Sequence, residues 1–283
     1  MNVREALREG TRLLWEAGSD EAELEAHLLL RHVLGVDRAH LYQSLNEALG
    51  LRAQNAYRRA IERRLAGEPA PYITRRKEFF GRQFEVSPAA IIPRPETETL
   101  IELAVDFARK RFSDRPIAAV DVGVGCGAIA VTLALELSQA RLTAVDISKR
   151  ALALARRNAQ RHGVAGRITF LHGDLLSPVT APADIIVANL PYVTTPDWET
   201  LPPEIREHEP RRGLDGGLDG LRLIRRLLRQ APARIKPGGA LFLEIGDEQG
   251  EAARRHARAA FPGGRVDVCR DLAGFDRVVA ILT

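Results

Sequence analysis

Cysteine is nearly missing from this chain. There are two in 283 residues, Cys126 and Cys269, far apart and outside any paired-ligand spacing. Neither a disulfide framework, a redox pair nor a thiolate metal site is indicated, and no metal is expected. Long apolar runs are missing as well: none approaches the roughly 20 residues that cross a bilayer. The opening Met1-Asn2-Val3-Arg4-Glu5 interleaves charge with apolar residues and has no apolar core of a signal peptide. Internal repeats and low-complexity tracts are absent. These absences predict a soluble, cytoplasmic protein with no membrane partner. The apolar content, 45%, is ordinary for a globular chain, and the length suits one large or two smaller domains. A net charge of +4 permits an anionic partner such as RNA or a ribonucleoprotein, a statement about association and not about fold.

Residues 1–74 read as a small all-helical domain. Val3, Leu7 and Leu14, and later Tyr57, Ile61 and Leu65, fall at helical spacing. Gly18-Ser19-Asp20 reads as a stop followed by a helix cap, and Gly35 as the end of the next helix. Arg52, Arg58, Arg59, Arg63, Arg64, Arg75, Arg76 and Lys77 give a solvated basic face or a docking surface for an RNA-containing partner. Glu68-Pro69-Ala70-Pro71 breaks the helical pattern and reads as a linker. Residues 75–92 are expected to form a β-hairpin linker, with two short strands around Gly81. In Ile92-Pro93-Arg94-Pro95-Glu96-Thr97-Glu98, Arg94 and Glu96 either pair at a helix start or line a site.

Residues 93–283 read as an α/β domain. Strands are expected at Ile117–Val122, Arg141–Ile147, Ile168–Leu171, Asp184–Asn189, Ala240–Ile245, Val266–Arg270 and Arg277–Leu282, with helices such as Ala128–Leu137 and Lys149–Arg161 between the early ones. Such alternation predicts a mainly parallel, Rossmann-like sheet covered on both faces. The Asp271–Asp276 turn is too short for a parallel crossover, so the seven-stranded sheet should end in an antiparallel hairpin. The stretch Val193–Gly220, rich in Pro and Gly, reads as an irregular substrate-binding loop or lid.

Two constellations carry chemistry. Gly123-Val124-Gly125-Cys126-Gly127 follows the first strand of the sheet and opens a helix, whose free N–H groups suit a carboxylate or phosphate. Asp146 ends the next strand at the position of an acid that holds ribose hydroxyls. Together they predict a nucleoside cofactor. Asp174 is placed to hold an adenine amino group while Leu175 packs on the ring; His172 reads as structural. No hydride-transfer set is visible. The second constellation is Asn189-Leu190-Pro191-Tyr192, at the end of the apolar strand from Asp184. The Asn189 side-chain oxygen and the Leu190 carbonyl, aimed by Pro191, offer two acceptors, and Tyr192 a flat face. That set suits a planar –NH2 group, a carboxamide or an aromatic amine.

With these residues in place the chain resembles the PrmC/HemK family, which methylates the glutamine of the Gly-Gly-Gln motif in peptide-chain release factors. The likeness runs over essentially the whole length. It rests on Glu78-Phe79-Phe80-Gly81, the Ile92–Glu98 stretch, the Gly123–Gly127 turn, Ala144–Ser148, Asn189–Tyr192, Glu209-Pro210 with Leu214–Gly217, Lys236–Gly239, Leu243–Gly246 and Asp271–Gly274. The resemblance implies a class I methyltransferase-like fold acting in translation termination. It implies S-adenosyl-L-methionine as cofactor and S-adenosyl-L-homocysteine as product. Gly123, Val124, Gly125, Cys126, Gly127, Asp146, Asp174, Leu175 and Asn189 would bind the cofactor, and Asn189, Leu190, Pro191 and Tyr192 would form the catalytic set around the substrate glutamine. The family usually has Asn-Pro-Pro-Tyr; here Leu190 replaces the first proline, which keeps the acceptor carbonyl and gives up some rigidity. Asn-Leu-Pro-Tyr is also similar to ribosomal RNA adenine dimethylases, so an adenine amino group of RNA or DNA is the alternative substrate.

Overall fold

Apolar spacing turns the amino-terminal segment into helices. In the computed structural model, which describes residues 1–113 and 115–283, these are α1 (Val3–Glu16), α2 (Ala22–Leu34), α3 (Arg38–Gln43), α4 (Leu51–Leu65) and α5 (Ala70–Thr74). Val3, Leu7 and Leu14 of α1, Leu29 and Leu30 of α2, and Tyr57 and Ile61 of α4 meet in one apolar cluster. Asn2 caps α1 in a reciprocal pair with Glu5, and Gly35 ends α2 in the left-handed region. Three expectations change here. Asp20 does not cap α2: Glu21 stands at its N-cap without a side-chain hydrogen bond, and the Ser19 hydroxyl bonds Glu25 instead. The Pro-rich linker is a helical turn, because Pro69 leads into α5 and Ala70, Tyr72 and Ile73 are buried. Among the arginines, Arg63 pairs with Glu68, and Arg64 pairs with Glu25 and Glu204, so those two are already held in ion pairs within the chain.

The chain divides into two compact units, Met1–Arg76 with Pro202–His208, and Lys77–Leu201 with Glu209–Thr283. A hairpin of β1 (Arg76–Phe79) and β2 (Arg82–Glu85) precedes α6 (Thr97–Phe112). Strands and helices then alternate: β3 (Ile117–Val122), α7 (Ala128–Glu136), β4 (Ala140–Asp146), α8 (Lys149–Arg161), β5 (Ile168–His172) and β6 (Ala183–Ala188). Two short helices follow, α9 (Thr195–Thr200) and α10 (Pro203–His208), then α11 (Arg222–Gln230), β7 (Ile235–Glu244), α12 (Gly250–Ala260), β8 (Arg265–Arg270) and β9 (Asp276–Leu282). The sheet order is β5-β4-β3-β6-β7-β9-β8, with parallel pairs from β5 to β7 and an antiparallel β8–β9 hairpin, as expected.

β6 is buried at every position. Its start is anchored by Asp184, whose carboxylate accepts Ala118 N–H, Arg115 and Lys236 at 2.8–2.9 Å. Burial alone would raise that acid; the three donors outweigh it and hold the carboxyl below its usual range. Two segments depart from the sequence reading. β7 begins at Ile235, upstream of the expected Ala240, because Thr283 takes the N–H groups of Gly238 and Gly239 and keeps the Lys-Pro-Gly-Gly stretch paired. The stretch after Tyr192 is not wholly irregular: Thr194 caps α9 by accepting Asp197 N–H, and Pro203 opens α10.

Candidate active site

The sheet register gathers the site. Val122 pairs with Val145 on one side and with Ala188 on the other, and Ala188 pairs with Leu243. The residues that follow, Gly123, Asp146, Asn189 and Glu244, therefore leave the carboxyl edge at one level. Asp146 in turn pairs with His172, which brings Gly173, Asp174 and Leu175 to the same edge. In open α/β sheets this edge is where ligands bind.

A cavity of about 250 Å³ opens there, lined by Gly123, Gly125, Asp146, Asp174, Leu175, Asn189, Leu190 and Pro191 among others. Gly123 has φ +83°, and a Cβ there would meet Leu190 Cδ2 at 3.2 Å and the Asn189 carbonyl oxygen at 3.3 Å. Gly127, at φ +89°, seats the start of α7 against Ala155, where a Cβ would come within 3.0 Å of the alanine Cβ. Only glycine meets both demands. Val124 and Cys126 are placed differently from the other turn residues: both are buried in the core beneath the turn. Burial pushes the Cys126 thiol up to about 11, which makes it inert as a nucleophile.

Asp146 holds the turn. Its Oδ2 accepts Gly125 N–H at 3.0 Å and its Oδ1 accepts Ser148 N–H at 2.7 Å. Burial raises its carboxyl, and the two N–H donors counter part of that. Each oxygen keeps a lone pair for a ligand hydroxyl. Ser148 caps α8, so the helix-start role and the cavity-facing role of this strand end coexist. Beneath the turn lies Asp121, fully buried, whose Oδ2 accepts Ala130 N–H while its Oδ1 has no partner among the described residues. Desolvation pushes this acid up to about 7.

Asp174 reaches the cavity, where its Oδ2 is bonded by Arg226 of α11 and its other oxygen has no recorded hydrogen bond among the described residues. Leu175 is buried on the cavity wall in a left-handed backbone conformation, φ +52°, a strained position for a branched side chain. His172 bonds the Ile147 carbonyl at 3.0 Å, as a structural residue does. Ile147, 58% exposed, also lines the cavity, as do Arg212 and Leu223; nothing in the local pattern of the sequence marks them.

Asn189 donates from Nδ2 to Thr97 Oγ1 at 3.0 Å, and no donor among the described residues takes the Leu190 carbonyl. Tyr192 is not on the cavity wall. Its hydroxyl donates to Glu244 Oε1 at 3.2 Å, and its carbonyl accepts Gln249 Nε2 at 2.8 Å. Glu244 is 1% exposed and desolvation raises it to about 7, although the nearby Thr97 and Tyr192 hydroxyls counter part of that. Arg94 does not pair with Glu96. It binds the buried Glu209, which also accepts Ile92 N–H at 3.0 Å, and so ties the stretch before α6 to the segment after α10. Asn158, fully buried, bridges the hairpin to the glycine turn by bonding Glu85 and the Cys126 carbonyl at 2.8 Å. Among the described residues no group of three or more His, Cys, Asp or Glu gathers as a metal site, and no helix is long and apolar enough to cross a membrane.

Two family models match. The PrmC N-terminal domain covers residues 5–74, and the methyltransferase small domain covers residues 104–200. Release factor glutamine methyltransferases from Bacillus cereus and Moorella thermoacetica are 38% and 41% identical, over 99% and 98% of this chain and 98% and 97% of theirs. That of Bacillus subtilis is 39% identical over 99% of this chain and 97% of its own. Among solved structures, a Pyrococcus furiosus methyltransferase is 18% identical with a TM-score of 0.52, covering 72% of this chain and 89% of that one. A Thermus thermophilus 16S rRNA methyltransferase, in complex with AdoMet and guanosine, is 18% identical with a TM-score of 0.50, covering 74% and 49%. These two likenesses carry the fold.

Proposed function

The chain belongs to the release factor glutamine methyltransferase family, and from that premise we propose that it methylates the side-chain amide nitrogen of the glutamine in the Gly-Gly-Gln motif of peptide-chain release factors. S-adenosylmethionine supplies an electrophilic methyl on sulfur and leaves as S-adenosylhomocysteine. The cavity fits that donor: a glycine cradle that a Cβ would obstruct, an acid with spare lone pairs at Asp146, and an apolar wall at Leu175 and Ile147.

The observation that carries the reading is the placement of Asn189 and Leu190 on the wall of the same cavity as Gly123 and Asp146. An amide nitrogen is a poor nucleophile, because its lone pair is delocalised into the carbonyl. The Asn189 Oδ1 and the Leu190 carbonyl are suited to accept both substrate N–H bonds and to fix the nitrogen in line with the transferable methyl. Orientation of this kind is worth up to roughly 7–11 kcal/mol in favourable cases. The nitrogen lone pair forms the new N–C bond, the S–C electrons stay on sulfur, and the amide proton is lost to solvent. Tyr192, whose hydroxyl donates to Glu244, supports the end of the tetrad.

A soluble, cytoplasmic setting belongs to this reading, and the full-length relatives favour a protein amide over the adenine alternative. Incubation with purified release factor and labelled methyl donor, followed by mass mapping, tests it. One methyl on the glutamine of Gly-Gly-Gln is expected; label in RNA, or at another residue, would overturn it.

A further inference from the structure

We propose that Gln230 of α11 is a positioning residue that holds Leu175 in its left-handed conformation and so shapes the apolar wall on which the adenine ring of the cofactor packs. The inference rests on the cofactor reading given above and deepens it. A left-handed backbone crowds the Cβ of a leucine against the following carbonyl, so Leu175 would relax to an ordinary conformation if nothing outside it intervened. At φ +52°, buried on the cavity wall, it has not relaxed.

The hold comes from a neighbouring helix. The peptide that joins Leu175 to Leu176 carries the Leu176 N–H, and Gln230 Oε1 accepts that N–H at 2.9 Å. Leu176 is 1% exposed, so water offers little in place of the glutamine. Moving Leu175 into the right-handed or extended region would rotate this peptide plane and carry the N–H away from Gln230, leaving a buried donor unpaired. The glutamine therefore selects one orientation of the peptide, and through it the backbone of Leu175. One turn earlier on the same face of α11, Arg226 binds Asp174 Oδ2. The two contacts grip the residues immediately before and after Leu175. Ile224, Leu227 and Leu228 seat α11 in the same apolar cluster as Leu175 and Leu176, so the acceptor is presented from a fixed place. The turn is closed elsewhere as well. The carbonyls of Asp174 and Leu176 accept the N–H groups of Ser177 and Val179 at 3.1 Å, and Gly173 N–H bonds the Asp146 carbonyl at 3.1 Å. None of these bonds fixes the peptide between Leu175 and Leu176; among the described residues that falls to Gln230.

The test is calorimetry of S-adenosylhomocysteine binding to the full-length protein, run as a double-mutant cycle. Gln230→Met removes the acceptor at similar size, and Gln230→Asn withdraws it by one methylene; either serves should the other fail to fold. Each should weaken binding by about fivefold or more, because the competent backbone becomes a minor population. Gln230→Glu keeps an acceptor at the same reach and should bind within about twofold of wild type. Leu175→Gly removes both the strain and the side chain, so adding either damaging Gln230 substitution to it should weaken binding by no more than about twofold further. Loss of a merely structural contact would cost the same in both backgrounds. Unchanged affinity in either folded variant, a Gln230→Glu as weak as Gln230→Met, or an equal loss in the wild-type and Leu175→Gly backgrounds overturns the positioning role. A wild type that does not bind S-adenosylhomocysteine overturns the cofactor reading and this proposal with it.

Discussion

The Asp146 carboxylate accepts the Gly125 N–H at 3.0 Å, so the acid that ends β4 and the glycine turn that follows β3 form one structural unit. Removing the acid both frees a backbone donor and deletes the acceptor proposed for ribose hydroxyls. Asp146→Ala should weaken S-adenosylmethionine binding by at least about tenfold, since hydrogen bonds to a charged group are worth roughly 1.5–3 kcal/mol each. Calorimetry reads this directly, and an unchanged dissociation constant would take Asp146 out of the cofactor site.

Gly127→Ala should cost about 1–3 kcal/mol of stability. The substitution forces a left-handed alanine, and its Cβ would press on Ala155 at 3.0 Å. Denaturant unfolding measures the loss. The same change at Gly163, also left-handed at φ +71° but with nothing within 4 Å of a Cβ, should cost less, which separates crowding from backbone strain.

Asp121 and Glu244 are both held near 7 in the folded protein by burial, above ordinary values of 3.8 and 4.5. A raised carboxyl favours the protonated folded state. Its contribution is therefore complete below the unfolded value and is lost as pH rises through the folded one. These two residues should make the protein less stable as pH climbs from about 4 to about 7, each by up to about 1.4 kcal/mol per pH unit. Asp184 acts with the opposite sign, since its lowered carboxyl loses stability only on acidification below its ordinary 3.8. Unfolding free energies between pH 5 and 8 isolate the first effect, and Asp121→Asn combined with Glu244→Gln should flatten the slope.

The parts of this architecture that could be read from the chain are those set by neighbours in sequence. The β-branched run before Asn189 and the glycines from 123 to 127 each announce their element locally, and the strand spans agree to within a residue or two except at β7. Polar contacts across the fold left no such mark. Thr97 lies 92 positions from Asn189, Tyr192 lies 52 from Glu244, and Arg94 lies 115 from Glu209. Glu244 had one usable signal, a lone acid in the apolar Leu241–Ile245 stretch, but only the strand register shows what it faces. The strained Leu175 had none, because a left-handed leucine is imposed by its surroundings.

Asn189, in the mechanism proposed above, acts on the substrate amide and not on the cofactor. Single-turnover methylation of a release factor by Asn189→Ala, read beside calorimetry of S-adenosylmethionine, tests this most directly. Cofactor affinity should stay within about twofold of wild type, and the methyl-transfer rate should fall by about a hundredfold or more, in the range seen when a key transition-state hydrogen bond is deleted. Lost cofactor binding with near-normal turnover at saturation would contradict it.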